Sequence, residues 1–127
     1  MLLPEIPQHV LQFIAECIDS VPHLEALLML RADVSRGWSA AEVAQRLYIP
    51  GGDALQILES LVQRGLIVSD GSMSFRFPPD NAVLNERIGG VAEAYRDHLT
   101  PLATFIHSKG SAPVREFARA FTLKRDR

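Results

Sequence analysis

The sequence predicts a mostly α-helical protein with one small β-hairpin. Three observations predict it. Apolar side chains recur at helical spacing through most of the chain. A serine-glutamate capping pattern and a glycine stop bracket a pair of helices between residues 39 and 65. Asp70-Gly71, a strong hairpin signal, separates two short β-prone runs.

Residues 7–19, PQHVLQFIAECID, place Val10, Leu11, Ile14, Ala15 and Ile18 on one helical stripe. Pro7 suits the first turn, where its missing N–H costs nothing. Residues 22–33, PHLEALLMLRAD, again open on proline and direct Leu24, Leu27, Leu28 and Ala32 inward, until Arg36-Gly37 breaks the pattern. Trp38 reads as an aromatic that packs in the core or under the hairpin. In SAAEVAQRLY, Ser39 stands three residues before Glu42. The hydroxyl there accepts a free backbone N–H and the carboxylate reaches back to the cap. Val43, Ala44 and Leu47 then face inward. Ile49-Pro50-Gly51-Gly52 turns the chain, because a residue before proline avoids the helical region and glycine tolerates any dihedral. The helix at 52–64 carries Leu55, Leu58, Leu61 and Val62 in its apolar register, and Gly65 is its left-handed cap. LIVS and MSFRF form the hairpin strands.

Residues 81–108 read as a long helical stretch. Leu84, Ile88, Val91, Tyr95, Leu102 and Phe105 give a seam resembling a coiled coil, over fewer than four heptads. Gly89-Gly90 either weakens this helix or admits another backbone closely. Thr100-Pro101 has two readings: a kink, or a stop followed by a new helix capped by Thr100 with Pro101 in its first turn. The second is favoured. Residues 109–113 are a turn or linker. VREFARAF follows, with Val114, Phe117, Ala118 and Phe121 at helical spacing.

The 127 residues suffice for one domain with a real core and an appendage. At 47% hydrophobic and 22% charged, the chain reads as globular. It has no apolar run near the ~20 residues that span a bilayer, and its first residues lack the pattern of a secretory signal. Its single cysteine, Cys17, reads as a small buried or half-buried hydrophobe. A cytoplasmic location is the expectation. The net charge of -2 is unevenly placed. Residues 1–108 hold seven Arg and no Lys against thirteen acids, whereas residues 109–127 hold six Arg or Lys against two acids. An acidic body with a basic tail suits nucleic acid or an acidic partner, or simply a solvated end.

The order capped helix, turn, helix, glycine cap and hairpin, in SAAEVAQRLYIPGGDALQILESLVQRGLIVSDGSMSFRF (39–77), resembles the winged helix-turn-helix of MarR-like bacterial transcriptional regulators. The resemblance implies a winged-helix domain over 1–78, with an N-terminal helix at 7–19 and the winged-helix unit at 22–78. It further implies that the flanking helices, 7–19 and 79–108, make a homodimer, with 109–127 as a basic tail containing a short amphipathic helix. By family position, Gly51, Gly52, Leu55, Gln56, Glu59, Ser60 and Gln63 face outward, so Leu55 belongs to the apolar register and to the outer face at once.

The DNA-binding candidates are Gln56, which suits an adenine edge, Ser60 and Gln63, which suit phosphate, and the two cations Arg64 and Arg76. No Arg or Lys lies in the first twelve positions from Gly51, and the wing tip carries Asp70 where the family usually has a base. A transcriptional regulator that binds DNA is the first expectation. The alternative is a protein-interaction module that engages a protein partner through its tail, with Arg115, Phe117, Arg119, Phe121, Lys124 and Arg125. No enzymatic role, cofactor or metal is expected. His9, His23, His98 and His107 have no paired ligand spacing, no nucleophile has a visible base, and Gly51-Gly52 lacks the strand and lysine of a phosphate loop.

Overall fold

The computed structural model describes residues 6–109, which hold six helices and one hairpin. The basic aromatic tail therefore lies outside the described residues. The chain divides into two compact units, Pro22–Ile88 and a second that joins the residues up to Val21 with those from Gly89 onward.

The first unit begins with α2 (Val21–Ala32), whose Leu24, Ala26, Leu27 and Leu30 are buried. Leu28 is only half-buried and Ala32 is exposed, so the inward face is rotated from the one the sequence pattern suggests. The helix is apolar nearly all round, and spacing alone does not mark its buried side. α3 (Ala40–Leu47) starts with the expected capping box: Glu42 N–H donates to Ser39 Oγ at 3.1 Å and Ser39 N–H donates to Glu42 Oε1 at 2.9 Å. It ends on Tyr48, which takes the left-handed conformation at φ 58° without being glycine. α4 (Gly51–Gln63) packs against α3 and buries Ala54, Ile57, Leu58 and Leu61. Gly65, at φ 74°, follows as the left-handed residue that lets the chain leave the helix.

β1 (Val68–Ser69) and β2 (Phe75–Arg76) pair antiparallel, Val68 opposite Arg76 and Ser69 opposite Phe75. Both strands are shorter than LIVS and MSFRF. The loop spans five residues, and Asp70 organises it by accepting the Ser72 N–H at 3.0 Å and the Ser72 hydroxyl at 2.7 Å. Trp38 adds a one-residue third strand: its N–H donates to Phe75 O at 2.7 Å and its carbonyl accepts the Phe75 N–H at 2.8 Å. Beside it the chain runs close to Ser74: a Cβ at Gly37 would lie 2.2 Å from Ser74 Oγ, which would have to turn aside. Asn81 caps the start of α5 (Ala82–Asp97), accepting the Leu84 N–H, and the Arg31 side chain reaches Asn85 at 2.8 Å. Leu84 and Ile88 bury as the seam requires.

In the second unit, α1 (Gln8–Cys17) buries Val10, Leu11, Phe13 and Ile14. Pro7 stands just outside the helix as its N-cap, and Ile18 is buried in extended backbone beyond its end. Cys17 is half-buried. On α5, Gly90 gives close approach to α1 side chains: its missing Cβ would meet His9 Nε2 at 3.4 Å and Val10 Cγ2 at 3.5 Å. The stretch 81–108 is not one helix. It breaks at His98, and α6 (Leu99–His107) begins there, with Leu102, Phe105 and Ile106 buried. The stop-and-restart reading holds, but His98 rather than Thr100 is the cap residue, two positions earlier. Lys109 donates to Ile18 O and lies 3.8 Å from Asp19.

The capping box carries a pH signature. The hydrogen bond from Ser39 N–H, then the Arg36 guanidinium, holds the Glu42 carboxyl below its ordinary value of 4.5. A carboxyl depressed on folding contributes stability above its unfolded value and loses it as pH falls through the lower folded one. Glu42→Gln keeps the box geometry but removes the titration. The variant is expected to be less stable than wild type at neutral pH, and the two unfolding midpoints should converge as pH is lowered below 4.5.

Candidate nucleic-acid interface

The outer side of α4 is open along its length. Gly51, Gly52, Asp53, Gln56, Glu59 and Gln63 are exposed, and Leu55 and Ser60 are half-buried. Nothing lies within 4 Å of where a Cβ would stand at Gly51 or Gly52, so the front of the helix is bare of side chains and unobstructed. Pro50 offers no side-chain cap. Asp53 instead occupies the first turn, where the helix dipole favours a negative charge, and where it opposes an approaching phosphate. Gln56, Ser60 and Gln63 stand at i, i+4 and i+7, on one face of the helix. Arg64 is exposed at the far end of α4, as its C-cap, and Arg76 is half-buried on β2. The glutamines and the serine are thus grouped, while each cation stands on separate ground.

Arg36 and Arg46 are held against Trp38. The Arg36 guanidinium stacks 3.6 Å above the Trp38 ring and pairs with Glu42 at 2.8 Å. Arg46 lies 5.2 Å over the same ring. Trp38 itself is 3% exposed, and its indole N–H has no hydrogen-bond partner, so its contribution here is its π-face, which attracts both cations. At the wing, hydrogen bonds from Ser72, with help from the Ser74 N–H and the Arg76 charge, hold the Asp70 carboxyl low, which keeps the tip negative.

Two shallow concavities flank α4. One, of about 300 Å³, is lined by Pro22, His23, Ile49, Asp53, Gln56 and Ile57. The other, also about 300 Å³, lies between α4 and the hairpin: Leu55, Val62, Met73 and Phe75 give it an apolar floor, with Glu59, Gln63 and Ser69 around it. Met73, at φ 63° and 61% exposed, is held over this groove by the hairpin loop. The groove resolves the double assignment of Leu55, which faces neither the core nor free solvent but the wing. The sequence places Met73 at the wing tip but gives it no role and does not reveal the groove; the signal is Leu55 itself, an apolar residue on a nominally polar face. Tyr48, in the turn before α4, is 94% exposed, which the pattern did not single out. Arg115, Phe117, Arg119, Phe121, Lys124 and Arg125 lie outside the described residues. Among the described residues there is no metal-binding cluster, and no helix is long and apolar enough to cross a membrane.

A capped α3, a turn, an open α4, a glycine exit and a hairpin bridged to Trp38 together define a winged helix-turn-helix. The fold is similar to that of the multiple antibiotic-resistance repressor (MarR) from Listeria monocytogenes, known from its crystal structure. The TM-score is 0.50 and the identity 20%, over 92% of this chain and 82% of that one. No protein-family model matches the sequence, and no curated protein does either.

Proposed function

We propose that the chain is a winged-helix transcriptional regulator that binds DNA as a homodimer, with α4 in the major groove. The observation that carries this reading is the unobstructed outer face of α4, with Gln56, Ser60 and Gln63 in line. The similar structure from Listeria monocytogenes is that of a repressor, which supports the same reading. Gln56 presents the paired donor and acceptor that suit adenine. Arg64, at the end of α4, and Arg76, on β2, are the cations that would meet phosphates, two per copy. The test is DNA binding against salt with genomic fragments. The expected result is weak binding whose log–log salt slope is shallow, about −4 for four phosphates per dimer. No binding at low salt overturns the proposal.

A second reading has its own observation. Asp53, Glu59 and Asp70 make the front of the unit acidic, and the groove beside them is apolar. That surface suits a protein partner, with the chain as an adaptor or accessory factor that does not read DNA and engages that partner through its basic aromatic tail. A set of co-purifying proteins that changes with Phe117→Ala plus Phe121→Ala supports it, and an unchanged set counts against it.

A further inference from the structure

Four described residues take a positive φ. Gly65 and Gly71 do so at no steric cost, whereas Tyr48 and Met73 carry side chains there. Both exceptions are exposed, Tyr48 just before α4 and Met73 on the wing beside it. Met73 lies over the groove between α4 and the hairpin, so apolar neighbours offset part of its strain. Tyr48 has no such return. It lines neither concavity beside α4, and among the described residues it is the most exposed large hydrophobic side chain.

The conformation belongs to the turn. Tyr48 closes the end of α3, where its N–H and the Ile49 N–H both donate to Ala44 O. Glycine or asparagine would serve that geometry with less strain. The ring therefore adds nothing that the fold needs here. An exposed aromatic on strained backbone points to a contact outside the chain.

What it would meet follows from its place. Only Ile49 and Pro50 separate it from Gly51 and Gly52, where nothing lies within 4 Å of a Cβ position. The neighbouring backbone of α4 thus carries no side chain that would hold a partner off. The unit around it is short of cations, for residues 22–78 hold six acids against five arginines and no lysine. A duplex approaching such a surface needs neutral donors to its phosphates, and a tyrosine hydroxyl is one. We propose that Tyr48 is a DNA-backbone contact, its hydroxyl donating to a phosphate as α4 enters the major groove. This inference rests on the reading of α4 as the DNA-facing helix.

The test measures binding of the full chain to a mixed-sequence DNA duplex against salt. Tyr48→Asn and Tyr48→Gly should keep the unfolding midpoint at or above that of wild type, since both residues accept the left-handed turn. Their affinity should fall about tenfold, the size expected for losing a hydrogen bond to a charged group. Tyr48→Phe, which keeps the ring, should lose most of the same factor. The salt slope should not change in any of the three, because a neutral donor releases no counterion. Arg64→Ala is the contrast: it should weaken binding and make the slope shallower.

An intact fold with lower affinity at constant slope supports the contact. Wild-type affinity in Tyr48→Asn and Tyr48→Gly overturns it and leaves the ring to a protein partner. Full affinity in Tyr48→Phe overturns it too, and that variant decides by itself if the other two are destabilised. A loss that comes with a shallower slope also overturns it, since α4 has then moved off its phosphates. If Arg64→Ala weakens binding and the Tyr48 variants do not, this inference falls alone. If wild type does not bind the duplex, the reading of α4 falls with it.

Discussion

Leu58→Ala is expected to lower the stability of the winged-helix unit by about 3 kcal/mol, within the range for emptying a fully buried leucine site. Leu58 has no exposed surface and lies on the side of α4 that buries Ala54, Ile57 and Leu61. Losing its side chain removes apolar contact and leaves a cavity in a small core, where neighbours pack too densely to fill it. Against a typical total of ~5–15 kcal/mol for a domain, this is a large fraction. Leu55→Ala, three residues earlier, is expected to cost less than about 1 kcal/mol, because Leu55 is half-exposed on the groove. Denaturant unfolding checks both: the midpoint should fall sharply in the first variant and little in the second, at unchanged m-value. Similar losses from both variants would mean that α4 is rotated from the orientation described.

That contrast marks how far the sequence can be read. Local chemistry with a single solution was legible. The Ser39–Glu42 box, the Gly65 exit and the Asp70-Gly71 turn region each need particular atoms at particular spacings, and each stands where expected. Rotational phase was harder. On α4 the pattern favours Leu55 and Val62 over Ala54 and Ile57, because the spacing alone leaves open which flank of Leu58 and Leu61 faces α3. The structure buries the smaller alanine, where α3 packs closely, and leaves Leu55 to the wing. On α2 the same ambiguity of phase points Leu28 and Ala32 inward, where Ala26 and Leu30 belong. A helix apolar on nearly every side has no preferred face until its neighbours are known.

The helix break was half-legible for a related reason. Pro101 announced a disturbance, since it has no N–H to give to residue 97. Where the chain adjusts is decided by packing, and the turn falls at His98, which leaves Pro101 in the first turn of α6. The candidate site divides the same way. The scarcity of cations on α4 and its wing needs only a count, and could be read directly. The groove could not, because it is made jointly by residues 55–63 and 69–75, and its apolar floor includes Met73, which a loop in the left-handed region holds in place. The third strand at Trp38 was equally hidden, since one residue has no periodicity to show.

If electrostatics limits DNA binding, Glu59→Lys should strengthen it. Glu59 is exposed at the middle of the outer face of α4, between Gln56 and Gln63, where a carboxylate repels every nearby phosphate. Reversing it removes that repulsion and adds one cation per copy. In a dimer, two new phosphate contacts steepen the log–log salt slope by about 2 and raise low-salt affinity by roughly tenfold or more. Asp70→Asn is a milder companion: the amide oxygen still accepts from Ser72, so the hairpin loop keeps its organising bonds while the tip loses its charge. An unchanged affinity and slope would mean that α4 does not meet DNA, and would leave the acidic face to a protein partner.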